Sequence, residues 1–130
     1  MSHGKTLESE QSLLLLDKVR TICTQYPEVT ESTDLFGHIS FRVNDKPFVM
    51  MGEKDDIPTM SIKTAPSTQE FLLQQEDGNY SKTRYIGQHG WVSLRSVTDI
   101  NWEEVKDLIE EGYGRTAPKR LLRALHHHEP

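Results

Sequence analysis

A two-layer α+β sandwich, an antiparallel sheet with helices on one face, is the fold class this sequence predicts. Three observations point to it. Apolar residues recur at helical spacing toward both ends of the chain. Between them, several short segments alternate apolar and polar residues. Turn-forming strings join those segments closely enough for hairpins, which favours an antiparallel sheet.

The first helix is expected over about residues 7–26, where Leu15, Val19, Ile22 and Tyr26 form one stripe. Cys23 falls beside that stripe and reads as a small, buried, unreactive hydrophobe. Pro27 stops the helix, and the acidic string from Glu28 to Asp34 reads as a loop. Ile39 to Val43 alternates as a strand, Asn44-Asp45-Lys46-Pro47 is turn chemistry, and Phe48 to Met51 returns as a second strand. Residues 52–58 read as a connection, and Met60 to Thr64 as a third strand. A short helix follows near Pro66 to Gln75, with Ser67 and Glu70 at capping-box spacing. Asp77-Gly78-Asn79 ends it, and Tyr80 to Ile86 fits either a loop or a short edge strand. Gly87 to Gly90 is a turn into the strand Trp91 to Arg95. Asn101 and Glu104 open another helix with Val105, Leu108, Ile109 and Tyr113 as its stripe, weakened near Tyr113 by Gly112 and Gly114. Pro118 is placed at the first position of a final helix ending near Leu125.

A length of 130 residues suits one domain, with a core over about residues 7–125 and short flexible termini. That length buries a core without disulfides or metal. The lone cysteine excludes an internal disulfide, and no apolar run approaches the roughly 18 residues of a membrane span. Met1 to Lys5 lack the apolar stretch of a signal peptide, so a cytoplasmic protein is expected. A net charge of −5 argues against an indiscriminate polyanion binder. The charge is uneven, however. Residues 1–78 carry 7 Lys and Arg against 13 Asp and Glu, whereas residues 79–130 carry 8 against 7. Arg115, Lys119, Arg120 and Arg123 make the C-terminal end basic, as a solvated helix end also would.

Strand alternation sorts the side chains into two faces. Ile39, Phe41, Val43, Met60, Ile62, Val92 and Leu94 are expected toward the helices. Ser40, Arg42, Ser61, Lys63, Trp91, Ser93 and Arg95 then share the open face. Three cations and an indole can take phosphates and stack on a base or sugar; an open sheet face is also polar by default.

Catalytic and metal motifs are absent from the sequence. The histidines show neither HExxH nor a zinc pattern, there is no GxSxG, P-loop or GxGxxG, and no EF-hand surrounds Glu53, Asp55 and Asp56. His38 and His89 have the residue type of a general base but read as turn histidines, and the run from His126 to His128 reads as an ordinary terminus.

Four strings in order resemble the MmcQ/YjbR-like proteins. They are Phe36 to Val43 with Lys46 and Phe48; Ser61-Ile62-Lys63; Tyr85-Ile86-Gly87 with His89 to Leu94; and Tyr113 with Ala117 to Leu121. Gly112 and Gly114 depart from the family pattern. The resemblance implies a CyaY-like (frataxin-like) sandwich and a DNA-binding role with a double-wing arrangement. Its wings fall on Asn44 to Pro47 and Gly87 to Gly90, bringing in Lys46 and His89.

The expected function is therefore a monomeric, non-enzymatic DNA-binding module of modest affinity, without cofactor or metal. Its contacts are expected from Arg42, Lys63, Trp91 and Arg95, extended by Lys119 and Arg120. The alternatives are a protein- or small-anion-binding domain using the same face, and, behind it, a frataxin-like metal chaperone.

Overall fold

The computed structural model describes residues 7–127, with side chains described through Leu125. Residues 1–6, the tip of the chain beyond 127 and the side chains of the histidine run lie outside the described residues. The order of elements is α1 (Glu10–Cys23), β1 (Thr30–Thr33), β2 (Ile39–Val43), β3 (Lys46–Lys54), β4 (Ile57–Lys63), α2 (Pro66–Leu73), β5 (Tyr80–Lys82), β6 (Trp91–Leu94), α3 (Trp102–Thr116) and α4 (Lys119–His127). All strand pairs are antiparallel, in the order β1-β2-β3-β4-β6-β5. The fold is α+β, as the alternation predicts, and α1 and α3 pack on the middle strands.

The core lies between that sheet and α1 and α3. Leu15, Leu16, Val19 and Ile22 meet Val105, Leu108, Ile109 and Tyr113 above Ile39, Phe41, Val43, Met60, Ile62, Val92 and Leu94. Each such side chain contributes roughly 1.5–3 kcal/mol on burial. Cys23 is fully buried within this layer, and burial pushes its thiol up to about 12. Among the described residues, no helix is long and apolar enough to cross a membrane.

Several boundaries differ from expectation for local reasons. The segment expected as an acidic loop contains β1, whose four residues Thr-Glu-Ser-Thr are all exposed. Backbone pairing with β2 makes it a strand, and no apolar periodicity marks it. The β2–β3 turn is only Asn44-Asp45, with φ of 53° and 60°. Asp55-Asp56, with φ of 53° and 64°, makes a matching two-residue turn, so β3 and β4 run through most of the expected connection. Such turns match the twist of the strands they join. Register slips by one residue between Phe41 and Arg42, which places both Phe48 and Val49 on the core side and leaves Pro47 opposite Arg42. Phe48 meets the Tyr113 ring edge-on.

Helix ends also differ. α1 stops at Cys23, and Tyr26, beyond it, stacks on Tyr113 at 4.8 Å. α2 has no Ser67–Glu70 capping box. Its N-cap is Ala65, whose amide donates to Glu111 of α3 at 2.7 Å. The Asn101 cap is present, its side chain accepting from the Glu104 amide. Gly112 does not end α3, which continues to Thr116. A Cβ there would lie 2.7 Å from the Lys63 carbonyl oxygen, so glycine lets the helix seat directly on β4. Pro118 precedes the first residue of α4 rather than occupying it.

Candidate functional site

Cross-strand register fixes which side chains share the uncovered face. Ser32, Ser40, Met50, Ser61, Ser93 and Ser81 are successive partners across all six strands. The Ser61 and Ser93 hydroxyls lie 2.8 Å apart, and Thr83 Oγ1 is 2.9 Å from Ser93 Oγ. The face is therefore a belt of hydroxyls, with Arg42 and Lys63 displaced toward one end of the strands. Register gives Arg42 the phase of Ser40, and Lys63 and Trp91 that of Ser61 and Ser93; Arg95 follows the last residue of β6, and the four do not form one cluster.

Lys63 is paired with Trp91 across β4 and β6. Arg95 lies four residues beyond Trp91, roughly 13 Å along the strand. It stands at the other end of the sheet, where Arg95, Lys54, Asp55, Thr59 and Ser96 border a depression of about 490 Å³. The indole is not a free platform either. Trp91 is only 5 % exposed, outside the contiguous apolar cluster between sheet and helices. Its carbonyl accepts from Gln69 Nε2 at 3.0 Å and from the Thr83 amide at 3.2 Å. The Trp91 carbonyl thus ties down the β5–β6 connection, and the covered indole offers no face for the expected base stacking.

The two expected wing loops do share an end. The Asn44-Asp45 turn lies between β2 and β3, and the 3₁₀ turn Gly87–His89 precedes β6 beside Lys63. Two to three strand spacings separate them, roughly 10–14 Å. Lys46, the first residue of β3, and His89 are exposed at these loops. Gly90, at φ 93°, closes the second loop, and a Cβ there would lie 2.2 Å from the Thr64 carbonyl oxygen. The same residue's carbonyl accepts from the Thr64 hydroxyl at 2.7 Å.

α4 reaches this end as well. Thr30 pairs with Arg42, the Tyr113 hydroxyl donates to the Pro27 carbonyl at 2.9 Å, and Arg120 forms a two-pronged pair with Glu28 at 2.9 Å on each prong. That pair lowers the Glu28 carboxyl from its ordinary value. Arg120 is thus partly neutralised, and Lys119 is exposed beside it. Arg42 has its own partners, Ser40 Oγ at 3.1 Å and the Asp45 carbonyl at 3.2 Å.

Charge is consequently sorted along the strand axis, and the linear sequence gives only a faint sign of it. One end carries Arg42, Lys46, Lys63, Arg84, Arg115, Lys119 and Arg120, with Glu28, Asp45 and Glu111 between them. The other gathers the N-terminus of α1, the Asp55-Asp56 turn, Asp34, Asp99 and the acidic first turn of α3, with Lys18, Lys54 and Arg95 among them. His38 lies at the acidic end, its Nδ1 3.4 Å from Asp34 Oδ2, over Gly52 in a recess of about 180 Å³ with Met50, Thr59 and Ser61. The Phe36 and His38 amides donate to Asp34 and outweigh burial, holding its carboxyl below the ordinary value. Among the described residues, no three His, Cys, Asp or Glu side chains come together as a metal-binding group.

A family model described as YjbR matches residues 24–115, which span β1 to most of α3. Among solved structures, the chain is similar to protein DR2400 of Deinococcus radiodurans, described as having a DUF419 domain. The identity is 16 %, covering 85 % of this chain and 79 % of that one, with a TM-score of 0.64. It is similar also to a structural-genomics target from Pseudomonas syringae at 14 % identity, covering 80 % and 97 % of the two chains, with a TM-score of 0.60. No curated protein matches the chain.

Proposed function

The chain belongs to the YjbR family, and on that premise we propose that it is a non-enzymatic module that binds nucleic acid with modest affinity through the basic end of its sheet. The observation that carries this reading is the gathering of cations from β2, β3, β4, the β5–β6 connection, α3 and α4 at one end. Their partners leave them unequal. Arg42 and Arg120 already meet acceptors, whereas Lys46, Lys63 and Lys119 have no hydrogen bond or ion pair among the described residues and are the expected phosphate contacts. The overall charge of −5 limits attraction, so dissociation constants of about 10⁻⁴ to 10⁻⁶ M at physiological salt suit the arrangement.

Fluorescence anisotropy with a labelled oligonucleotide across a salt series tests the proposal. Log affinity should fall linearly with log salt, and Lys63→Ala should flatten the slope by roughly one unit. Absence of salt-dependent binding by the parent chain would remove the reading. A second reading, a small-anion site, draws on the recess lined by His38, Thr59 and Ser61. It predicts that inorganic phosphate perturbs the His38 NMR signals while Lys63→Ala has no effect.

A further inference from the structure

Tyr85 occupies a conformation that bulky residues rarely hold. Its φ is 66°, and the Ile86 amide donates across it to the Arg84 carbonyl at 2.7 Å. That is a γ-turn of the uncommon, strained hand. The other left-handed non-glycine residues are Asn, Asp and a single Glu, and four of them sit in the two tight turns. Core packing offers Tyr85 nothing in return, because the residue is 87 % exposed. Strain of this kind persists only where the surroundings over-determine it, and it concentrates at ligand-contacting positions.

The surroundings here are tied down by hydrogen bonds and close packing. Gln69 Nε2 donates to the Gly87 carbonyl at 2.7 Å as well as to Trp91, and the Thr83 amide pairs with Trp91. Buried Trp91 and closely packed Gly90 fix the far side of the connection. Its tip thus holds out one aromatic ring, with the Arg84 guanidinium 5.9 Å from the ring centroid. Lys63 lies on the neighbouring strand across from Trp91. A ring held out into solvent beside cations is the arrangement that takes an unstacked base while the cations take its phosphates. A duplex keeps its bases stacked and offers such a ring little.

We propose that Tyr85 is a base-stacking platform and that the basic end therefore prefers single-stranded nucleic acid over duplex. The inference rests on the nucleic-acid reading above and assigns to Tyr85 the aromatic role that buried Trp91 cannot fill.

The test uses the full chain with labelled oligothymidylate, oligouridylate and a matched DNA duplex at one low salt concentration. Either single strand should bind more tightly than the duplex. Tyr85→Ala should weaken single-strand binding roughly 5- to 150-fold and leave duplex binding nearly unchanged. Tyr85→Phe should bind as the parent does. Tyr85→Gly separates stacking from structure, because glycine adopts the positive φ without strain. It should melt at a higher temperature than the parent and yet lose single-strand binding as Tyr85→Ala does. Tighter binding to the duplex, or parent-like affinity in Tyr85→Ala and Tyr85→Gly, overturns the inference while leaving the basic-end reading intact. A parent chain that binds none of the three probes overturns both.

Discussion

At one end of the sheet, α1 begins over β3, and Glu53 accepts from the Ser9 amide at 3.0 Å and the Ser12 hydroxyl at 2.6 Å. At the other, α2 begins just after β4, and Glu111 accepts from the Ala65 amide and the Thr68 hydroxyl. Both helices thus borrow a capping carboxylate from another element, placing negative charge at a helix N-terminus. The difference lies in what surrounds each carboxylate. Around Glu53 stand more acids, in the first turn of α1 and the Asp55-Asp56 turn. Glu111 receives the Ala65 amide two residues past Lys63, at the end that carries Lys46, Lys63 and Lys119. The comparison teaches that a net charge of −5 describes neither end, and that a ligand meets a local field rather than the total.

The largest expected effect comes from breaking the packing beneath the basic end. Tyr113→Ala removes a buried ring that stacks on Tyr26, meets Phe48 and bonds the Pro27 carbonyl, and should cost about 3–5 kcal/mol in urea unfolding. Gly90→Ala is the next largest. A methyl group 2.2 Å from a carbonyl oxygen at positive φ should cost about 1–3 kcal/mol in the same assay and distort the Gly87–Gly90 loop. At the acidic end, Ser9→Ala removes the α1 N-cap and should cost about 1 kcal/mol without changing nucleic-acid binding.

Acid sharpens the contrast from the Glu53 side. Bonds from the Ser12 hydroxyl and the Ser9 amide hold this carboxyl at about 2. A folded-state value below the unfolded one means that the stabilisation is present in full above the ordinary carboxylate range and is lost as pH falls toward about 2. Thermal melts of Glu53→Gln should therefore show a shallower acid-side decline than the parent. The smallest effect separates the cations themselves. Arg95→Ala, at the acidic end, should leave the salt slope of DNA binding within error of the parent, whereas Lys63→Ala flattens it by roughly one unit. Equal slopes would show that the two ends do not differ as a ligand experiences them.

Much of this fold was legible in the sequence, because apolar alternation and helical stripes report burial directly. Ile39, Phe41, Val43, Met60, Ile62, Val92 and Leu94 all face the core as their spacing predicts. β1 was not legible, since Thr30–Thr33 bury nothing and are strand only by pairing. The phase of the open face was readable, but position along it was not. Arg95 and Lys63 share a face, and only strand register shows them to be at opposite ends. Residue type likewise suggested Trp91 as the exposed aromatic. Which of Trp91 and Tyr85 is covered depends on the path of the β5–β6 connection, which is set by Gln69, Thr64 and Gly90 from outside the local pattern.

Because β6 docks on β4 only after α2 and β5 have been traversed, the sheet should assemble at two speeds. β1 to β4 form a meander in which each strand pairs with its sequence neighbour, so closing each hairpin spans few residues. The β4–β6 pair joins Ser61 to Ser93 and closes a much longer loop, so it should form later. Substitutions at the β3–β4 hairpin should then slow refolding in stopped-flow experiments, while those in β6 mainly hasten unfolding. The basic end straddles that late seam. In a nascent chain, the Asn44-Asp45 turn would be built well before Lys63 acquires Trp91 as its neighbour, so ligand-binding competence should report the last step of folding rather than the first.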